Sequence, residues 1–301
     1  MNTLSDLIKY TQSKKRYQLS ELEKSHYLRP HEIFNDFINN KLSTKSTVAL
    51  NMEYISSWYL WKYIHEFIEK DKIDYSLLAQ STCWGYHGNL LNYLIGQIAP
   101  QYDSCVLLRT AVMHLAQMMM LGWDELSVRY GKMMIEMLHG KYYKGGQPKP
   151  LYVWFIVELF CRWQKISLDK SVLNMPDSLK IYEKALQYLD SCDMDIIQNI
   201  INDLAAFHIQ NADEYVKTDK YGNESSAEFV SSDYFIFPVE IIMYLSVRKR
   251  LKMPENNADN ELMALSINRF PGDSIKIPSE KVIHTVFEKI YRENPRLKLY
   301  R

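Results

Sequence analysis

The stretch from Ser231 to Pro254, SSDYFIFPVEIIMYLSVRKRLKMP, joins an aromatic lead-in to an apolar run that ends in three basic residues. Pro238 suits the first position of a helix, because the N–H that proline lacks would be unbonded there. The helix dipole favours Glu240 in the first turn and the basic run Arg248–Arg250 in the last turn. Apolar residues occupy nearly the whole circumference between these ends. The sequence therefore predicts a helix that is central to its half of the fold.

Helical spacing dominates the rest of the chain as well. A representative set recurs at intervals of three and four residues and so shares one helical face: Tyr54, Trp58, Trp61, His65 and Ile68. Only a short stretch at about 229–237 has an extended pattern, and ten glycines and ten prolines supply few obligatory turns. Further helices are predicted at about 150–165, 177–190, 194–217, 238–252 and 279–293. The prediction is an all-α fold, an irregular array of antiparallel helical hairpins with essentially no sheet.

The 301 residues are enough for one large domain or two smaller ones. A polar segment near 168–177 divides a predicted N-terminal helical region, 1–170, from a C-terminal one, 171–301, and one compact domain is the alternative. Two segments resemble parts of a tetratricopeptide unit, LGWDE at 121–125 and, more weakly, IYEKAL at 181–186. No regular repeat of roughly 34 residues links them. A helical-repeat scaffold that binds peptides or proteins is therefore an alternative function.

Charge and cysteine content narrow the functional classes. Lys and Arg total 36, as do Asp and Glu, so the formal net charge is zero and general binding to a phosphate backbone is disfavoured. The first twenty residues contain no apolar core of signal-peptide length, and the most apolar run, 151–161, is too short to span a bilayer. The four cysteines are too widely spaced for a zinc site. We expect a cytoplasmic protein with reduced thiols, no metal, no cofactor, and no direct contact with nucleic acid or membrane.

Catalytic motifs are incomplete in this sequence, which predicts a protein that is not an enzyme. His65 begins an apparent HExxH motif, but Glu69 stands where the second histidine is needed. His87 and His208 lie beside apolar or aromatic residues, where packing or hydrogen bonding is the usual role of histidine. An enzyme that uses His87 or His208 together with Glu240 is the third hypothesis. It predicts a deep polar pocket that joins these groups.

The segment DYFIFPVEIIMYLSV at 233–247 carries a family resemblance. It is similar to the C-terminal part of bacterial immunity proteins that protect against polymorphic toxins, and the nearest group is the one paired with PoNe-type DNase toxins. In that group an aromatic segment precedes a helix with a central glutamate, which corresponds to Glu240 here. The resemblance covers mainly the last third of the chain. The all-helical layout upstream fits the same family.

This resemblance implies inhibition by binding, in which the protein covers the active site of a cognate toxin and uses no chemistry of its own. Tight protein pairs depend on a few aromatic and charged anchors, and complementary charge speeds their association. Against a DNase toxin, acidic side chains would take the place of phosphates. The candidate anchors are loop residues: Tyr142, Tyr143, Asp213, Glu214, Tyr215, Asp219, Tyr221, Glu224 and Glu228. The sequence leaves the toxin's activity and the oligomeric state open.

Overall fold

The computed structural model describes residues 3–42, 44–99, 106–143, 150–215, 217–218, 224–225, 227–255 and 260–300. Within these ranges the chain forms helices α1 (Leu4–Leu22), α2 (Arg29–Ile38), α3 (Lys45–Lys70), α4 (Tyr75–Ile98), α5 (Leu108–Met120), α6 (Asp124–His139), α7 (Leu151–Gln164), α8 (Ile181–Gln187), α9 (Met194–Asn211), α10 (Val239–Arg250), α11 (Glu261–Ala264) and α12 (Lys281–Glu293). Two-residue strands β1 (Lys217–Thr218) and β2 (Glu224–Ser225) pair antiparallel. The predicted all-α class, with essentially no sheet, is confirmed.

A π-helical segment, Glu23–Leu28, joins α1 to α2 without an intervening loop. Pro30 follows it, and a proline has no N–H to donate to the preceding turn. The segment uses wider hydrogen bonds, of which one runs from the N–H of Arg29 to the carbonyl of Lys24. Such an expanded turn accommodates the missing donor. The chain therefore stays helical from α1 through α2.

Helices α3 and α4 form the longest hairpin, and the short segment between them turns at Asp71, whose φ is 49°. Asp74 caps α4 by accepting the N–H of Ser76 at 3.1 Å. Two glycines let α4 approach its neighbours closely. A Cβ on Gly85 would overlap the ring of His114 on α5, and one on Gly88 would lie 2.8 Å from a Glu53 carboxylate oxygen on α3. These glycines are close-packing points within a continuous helix.

Helix α10 is central, as its sequence predicts. It packs against α5, α7 and α9, and its residues from Val239 to Tyr244 are all buried. Pro238 stands at the N-cap, one position before the expected one. Glu240 lies in the first turn and the basic run in the last. The helix thus places one buried carboxylate in the middle of the fold.

The basic run 248–250 connects elements within the protein. Arg248 is buried and donates to the carbonyl oxygens of Leu189 at 2.8 Å and Ser191 at 3.0 Å, in the turn between α8 and α9. Arg250 donates to the carbonyl oxygen of Met119 at 2.8 Å and forms an ion pair with Asp124. Two of the three basic side chains are therefore committed to other helices.

One hydrophobic core extends from α1 to the C-terminal turn after α12. The hydroxyl of Tyr63 donates to the carbonyl of Ile267 at 3.0 Å, and the indole N–H of Trp123 donates to the carbonyl of Ile275 at 2.6 Å. Lys289 on α12 donates to the carbonyl of Phe37 at the end of α2. Residues from both predicted regions, 1–170 and 171–301, thus contribute to one core.

The turn of the LGWDE segment joins α5 to α6 through Gly122, whose φ is 78°. Its Trp123 is covered by the segment around Ile275, which comes from the far end of the chain. A tetratricopeptide array would cover it with the next repeat. The packing is therefore that of an irregular helical array, as predicted. Within the described residues, no helix has both the length and the apolar character required to cross a membrane.

The predicted extents of two helices were wrong. Helix α8 covers Ile181–Gln187, which is shorter than the predicted 177–190, and α9 ends at Asn211 where the prediction extended to 217. The chain becomes extended at Ala212, which forms an isolated parallel bridge with Phe229. A distant segment therefore takes over the backbone hydrogen bonds that would have continued α9.

Candidate functional site

The two ends of the segment that follows α9 are hydrogen-bonded to each other. The N–H of Asp213 donates to the carbonyl of Phe229 at 3.0 Å, and the N–H of Phe229 donates to the carbonyl of Asn211 at 3.1 Å. Between these two ends, β1 and β2 form a short antiparallel pair. The bonds at 211–213 and 229 therefore close the base of the loop.

Glu214 lies at the start of this loop and is bound to α1. Its Oε2 accepts a hydrogen bond from the hydroxyl of Tyr10 at 2.7 Å and lies 2.8 Å from Nζ of Lys14. Burial favours the neutral carboxyl, but the hydrogen bonds from Lys14, Ser232 and Tyr10 outweigh it and lower the pKa of Glu214. Burial, together with the neighbouring Glu214, raises the pKa of Tyr10 to about 12. Glu214 is thus an ionised anchor.

Tyr215 is the most exposed large hydrophobic side chain in the described part of the protein, at 67%. Its backbone N–H donates to Oδ1 of Asp213 at 3.0 Å, which is a local Asp turn. The exposed ring therefore stands next to backbone that is anchored through Asp213 and Glu214. We call Asp213, Glu214 and Tyr215 the acidic edge.

Glu228 has a structural role at the far end of the loop. Its Oε1 accepts the N–H of Tyr152 at 2.6 Å, in the first turn of α7, whose own N-cap residue Pro150 makes no side-chain capping bond. Burial raises the pKa of Glu228 to about 7, against the effect of the backbone N–H groups of Tyr152 and Leu151. This carboxyl therefore substitutes for a local helix cap.

The two tyrosines after α6 lie elsewhere, against α4. Tyr143 is only 5% exposed, and Asn89 donates to its hydroxyl at 3.4 Å. Its expected position at the surface was wrong, because α4 offers it a polar partner inside the core. Tyr142 is half-buried, with its ring 6.5 Å from that of Tyr93. Neither tyrosine is part of the acidic edge.

The remaining predicted anchors fall between 218 and 225 in the sequence. Asp219 and Tyr221 are outside the described residues, and Glu224 is described only as part of the backbone of β2. The structure thus brings together Asp213, Glu214 and Tyr215 and places Glu228 at the other end of the same loop.

The third hypothesis singled out His208 and Glu240, and these two residues are in contact. His208 Nδ1 lies 2.7 Å from Glu240 Oε1, and His208 Nε2 lies 3.0 Å from the carbonyl oxygen of Tyr234. Phe229 lies over the imidazole, with ring centroids 4.0 Å apart. His208 and Glu240 are 0% and 1% exposed, so almost none of their surface is accessible to a substrate. The pair connects α9 to α10 without access to solvent.

His87 is held separately on α4. Its Nδ1 lies 2.8 Å from the carbonyl oxygen of Cys83, and its ring contacts Phe287 with centroids 5.5 Å apart. Burial lowers the pKa of His87 to about 4. The neighbouring thiol of Cys83 is also buried, and its pKa is raised to about 12. A neutral imidazole beside a protonated thiol lacks the thiolate that nucleophilic catalysis requires.

A cleft that the sequence reasoning did not predict lies beside the acidic edge. It has a volume of about 140 Å³ and is bounded by α3, the first turns of α5 and α7, and the segment 229–234. Its polar lining residues include Ser56, Arg109, Thr110, His114, Tyr152 and Asp233. A pattern in the sequence indicates part of it, since Thr110, His114 and Gln117 form a polar stripe at helical spacing on the otherwise apolar α5.

His114 is among the most buried polar residues of the cleft, at 2% exposure. Its Nε2 lies 3.2 Å from Oγ of Ser56 and 3.7 Å from Oε2 of Glu53. A serine–histidine–acid triad uses the two ring nitrogens for different partners, whereas here both partners face Nε2. Burial lowers the pKa of His114 to about 4 and raises the pKa of Glu53 well above its usual value. Burial therefore favours the neutral form of both groups.

No protein-family model matches the chain, and no curated protein and no solved structure shows significant similarity to it. Within the described residues, no group of three or more His, Cys, Asp or Glu side chains is placed to hold a metal ion. The features that bear on function are therefore the acidic edge, the buried pair of His208 and Glu240, and the cleft.

Proposed function

We propose that the protein is a cytoplasmic immunity protein that binds a cognate bacterial toxin and covers its active site. The observation that carries this proposal is Tyr215, an aromatic side chain that is 67% exposed on a fixed backbone. The family resemblance of the segment 233–247, which follows the loop in sequence, supports the same conclusion.

A fixed, exposed tyrosine is suited to an interface. Tyrosine is enriched among the residues that dominate binding energies. Ordering of a mobile segment on binding lowers affinity, and the acidic edge is already ordered by the bonds of Asp213 and Glu214. The ring therefore enters a partner pocket with little further loss of entropy.

Electrostatics favour a partner with a basic surface. Glu214 is already paired with Lys14, so it contributes more to holding the acidic edge in place than to attracting a partner. The further carboxylates of the loop, Asp219 and Glu224, are supplied by the sequence between 213 and 228. An acidic loop against a basic active-site cleft speeds association and excludes nucleic acid from the same cleft. A nuclease toxin fits this charge pattern.

The proposal is tested by co-expression with the toxin encoded beside this protein, with growth as the readout. Purified proteins then give the affinity by calorimetry for the unmodified chain and for Tyr215→Ala. We expect a loss of about 2 kcal/mol, which corresponds to about thirtyfold weaker binding. Tyr54→Ala is the matched control, because Tyr54 is a second exposed tyrosine, at 36%, on α3.

Two results would reject the proposal. One is failure of the protein to restore growth with any toxin encoded beside it. The other is equal affinity of Tyr215→Ala and Tyr54→Ala for a toxin that is neutralised, which would remove the acidic edge as the binding surface.

A further inference from the structure

The cleft beside the acidic edge is lined by two opposite charges that do not pair with each other. Arg109 comes from the second residue of α5, and Asp233 comes from the 3-10 turn Ser232–Tyr234. Both side chains are half-buried. Neither forms an ion pair with any residue in the described ranges. Half-buried charges of opposite sign in one cavity normally form a pair when they can reach each other.

The surroundings of Asp233 disfavour the charged form of its carboxyl group. Burial raises the pKa of this carboxyl to about 7, and the nearby Glu214 acts in the same direction. Glu214 itself is neutralised by Lys14, so that lysine is already engaged. An ammonium group placed in the cleft would stabilise the ionised form of Asp233.

The cleft also contains a buried polar atom without a partner. Nδ1 of His114 makes no hydrogen bond within the described part of the protein, although the residue is 2% exposed. Nε2 of the same ring already faces Ser56 and Glu53. Buried polar atoms normally have a hydrogen-bond partner, so this one is an exception on a residue that lines the cleft.

The size of the cleft restricts the ligand. Its volume is about 140 Å³. An engineered protein cavity of about 150 Å³ holds one benzene molecule, which has six non-hydrogen atoms. A ligand of roughly that size fits, whereas one with a large side chain does not.

We propose that this cleft binds a small zwitterion of the α-amino acid class, with its carboxylate on the Arg109 guanidinium and its ammonium on the Asp233 carboxylate. A simple anion would satisfy Arg109 and leave Asp233 without a cation. A simple amine would satisfy Asp233 and leave Arg109 without an anion. Only a ligand with both charges supplies both partners, and a planar carboxylate matches the forked donors of arginine.

This site is separate from the proposed immunity function and does not depend on it. Its test needs only the purified chain. Calorimetry and thermal unfolding are measured with glycine, alanine and serine as ligands. Acetate and methylammonium serve as single-charge probes, and tryptophan serves as a probe of size.

The expected result is binding of at least one small amino acid, with neither acetate nor methylammonium binding within tenfold of it. Arg109→Gln should weaken amino acid binding about tenfold or more, as is usual for loss of a charge-assisted hydrogen bond. Asp233→Asn should weaken it similarly and should bind acetate at least as well as the unmodified protein does. A general loss of structure would not produce that change in preference.

The matched controls are Arg129→Gln and Asp190→Asn, which change exposed residues of the same types. They should bind as the unmodified protein does. The proposal is overturned if no small amino acid binds at concentrations up to about 10 mM. It is equally overturned if acetate or tryptophan binds as tightly as alanine, or if the two cleft variants bind no more weakly than the controls.

Discussion

His208 Nδ1 lies 2.7 Å from Glu240 Oε1, and the two residues connect α9 to α10 in a part of the core without solvent access. The other ring nitrogen of His208 faces a carbonyl oxygen and must therefore carry a proton. At the contact with Glu240 there are then two possible states. Either a protonated Glu240 donates to Nδ1 of a neutral His208, or a protonated His208 forms an ion pair with the Glu240 carboxylate. In both states, removal of one partner leaves a buried polar group without its partner.

We expect Glu240→Ala to lower the free energy of unfolding by about 3 kcal/mol, because the buried His208 keeps a hydrogen-bond partner at only one of its two ring nitrogens. Urea unfolding at pH 7 measures the change. Asp203→Ala is the control, since Asp203 forms an exposed ion pair with Lys184 at 3.3 Å between α8 and α9. Exposed pairs contribute less than about 1 kcal/mol. Equal effects of the two substitutions would contradict a structural role for the buried pair.

Gly85→Ala should destabilise the protein by about 1–3 kcal/mol, because the added methyl group would overlap the ring of His114 and force apart α4 and α5. Thermal unfolding followed by circular dichroism measures the shift. The control is Gly272→Ala, where nothing lies within 4 Å of the added methyl group. An unchanged melting temperature for Gly85→Ala would show that this helix contact is looser than described.

Arg248→Ala should lower the free energy of unfolding by about 3 kcal/mol, since the buried carbonyl oxygens of Leu189 and Ser191 would lose their donor. Lys249→Ala, one residue later, should change it by less than about 0.5 kcal/mol, because Lys249 is exposed. Chemical unfolding of both variants makes the comparison. A larger effect at Lys249 would contradict the assignment of Arg248 as the residue that holds the α8–α9 turn.

The raised pKa of Glu228 predicts a dependence of stability on pH. The folded state keeps the proton up to about pH 7, whereas the unfolded carboxyl loses it near its ordinary pKa of 4.5. Between these values the folded state binds more protons, so this group's contribution to stability is present below pH 4.5 and is lost as the pH rises to 7. Glu228→Gln keeps an acceptor for the N–H of Tyr152 and removes the titration.

We therefore expect Glu228→Gln to gain on the order of 2 kcal/mol relative to the unmodified protein between pH 4.5 and pH 7. Unfolding free energies measured across this range give the difference between the two curves. Glu255→Gln, at an exposed position, should run parallel to the unmodified protein. Parallel curves for Glu228→Gln as well would mean that Glu228 has an ordinary pKa.

The fold class was predictable because it depends on local patterns. Short stretches of sequence contain the helical periodicity, the residues that begin and end α10, and the glycine of the Gly122 turn. The end of α9 was not predictable, because it is set by Phe229, which pairs with Ala212 across the loop. Local composition also misplaced Tyr143, since its partner Asn89 belongs to α4.

The cleft depends even more on distant contacts. Arg109 and Asp233 come from segments that have no recognisable relationship in the sequence. The polar stripe on α5 indicates only which face of that helix carries polar residues. No local sequence pattern predicts that this face packs beside the segment 229–234. The contact between His208 and Glu240 was foreseen as a hypothesis, but its burial depends on Phe229 and Tyr234.

The contact between Tyr10 and Glu214 spans 204 positions along the chain, from α1 to the loop after α9. During synthesis, α1 is made long before its carboxylate partner exists, so this support for the acidic edge forms late. A chain that stops before Glu214 lacks the edge, and a chain without α1 lacks what holds it in place. Display of the edge thus reports that α1 and the start of the loop after α9 have both been made and have met.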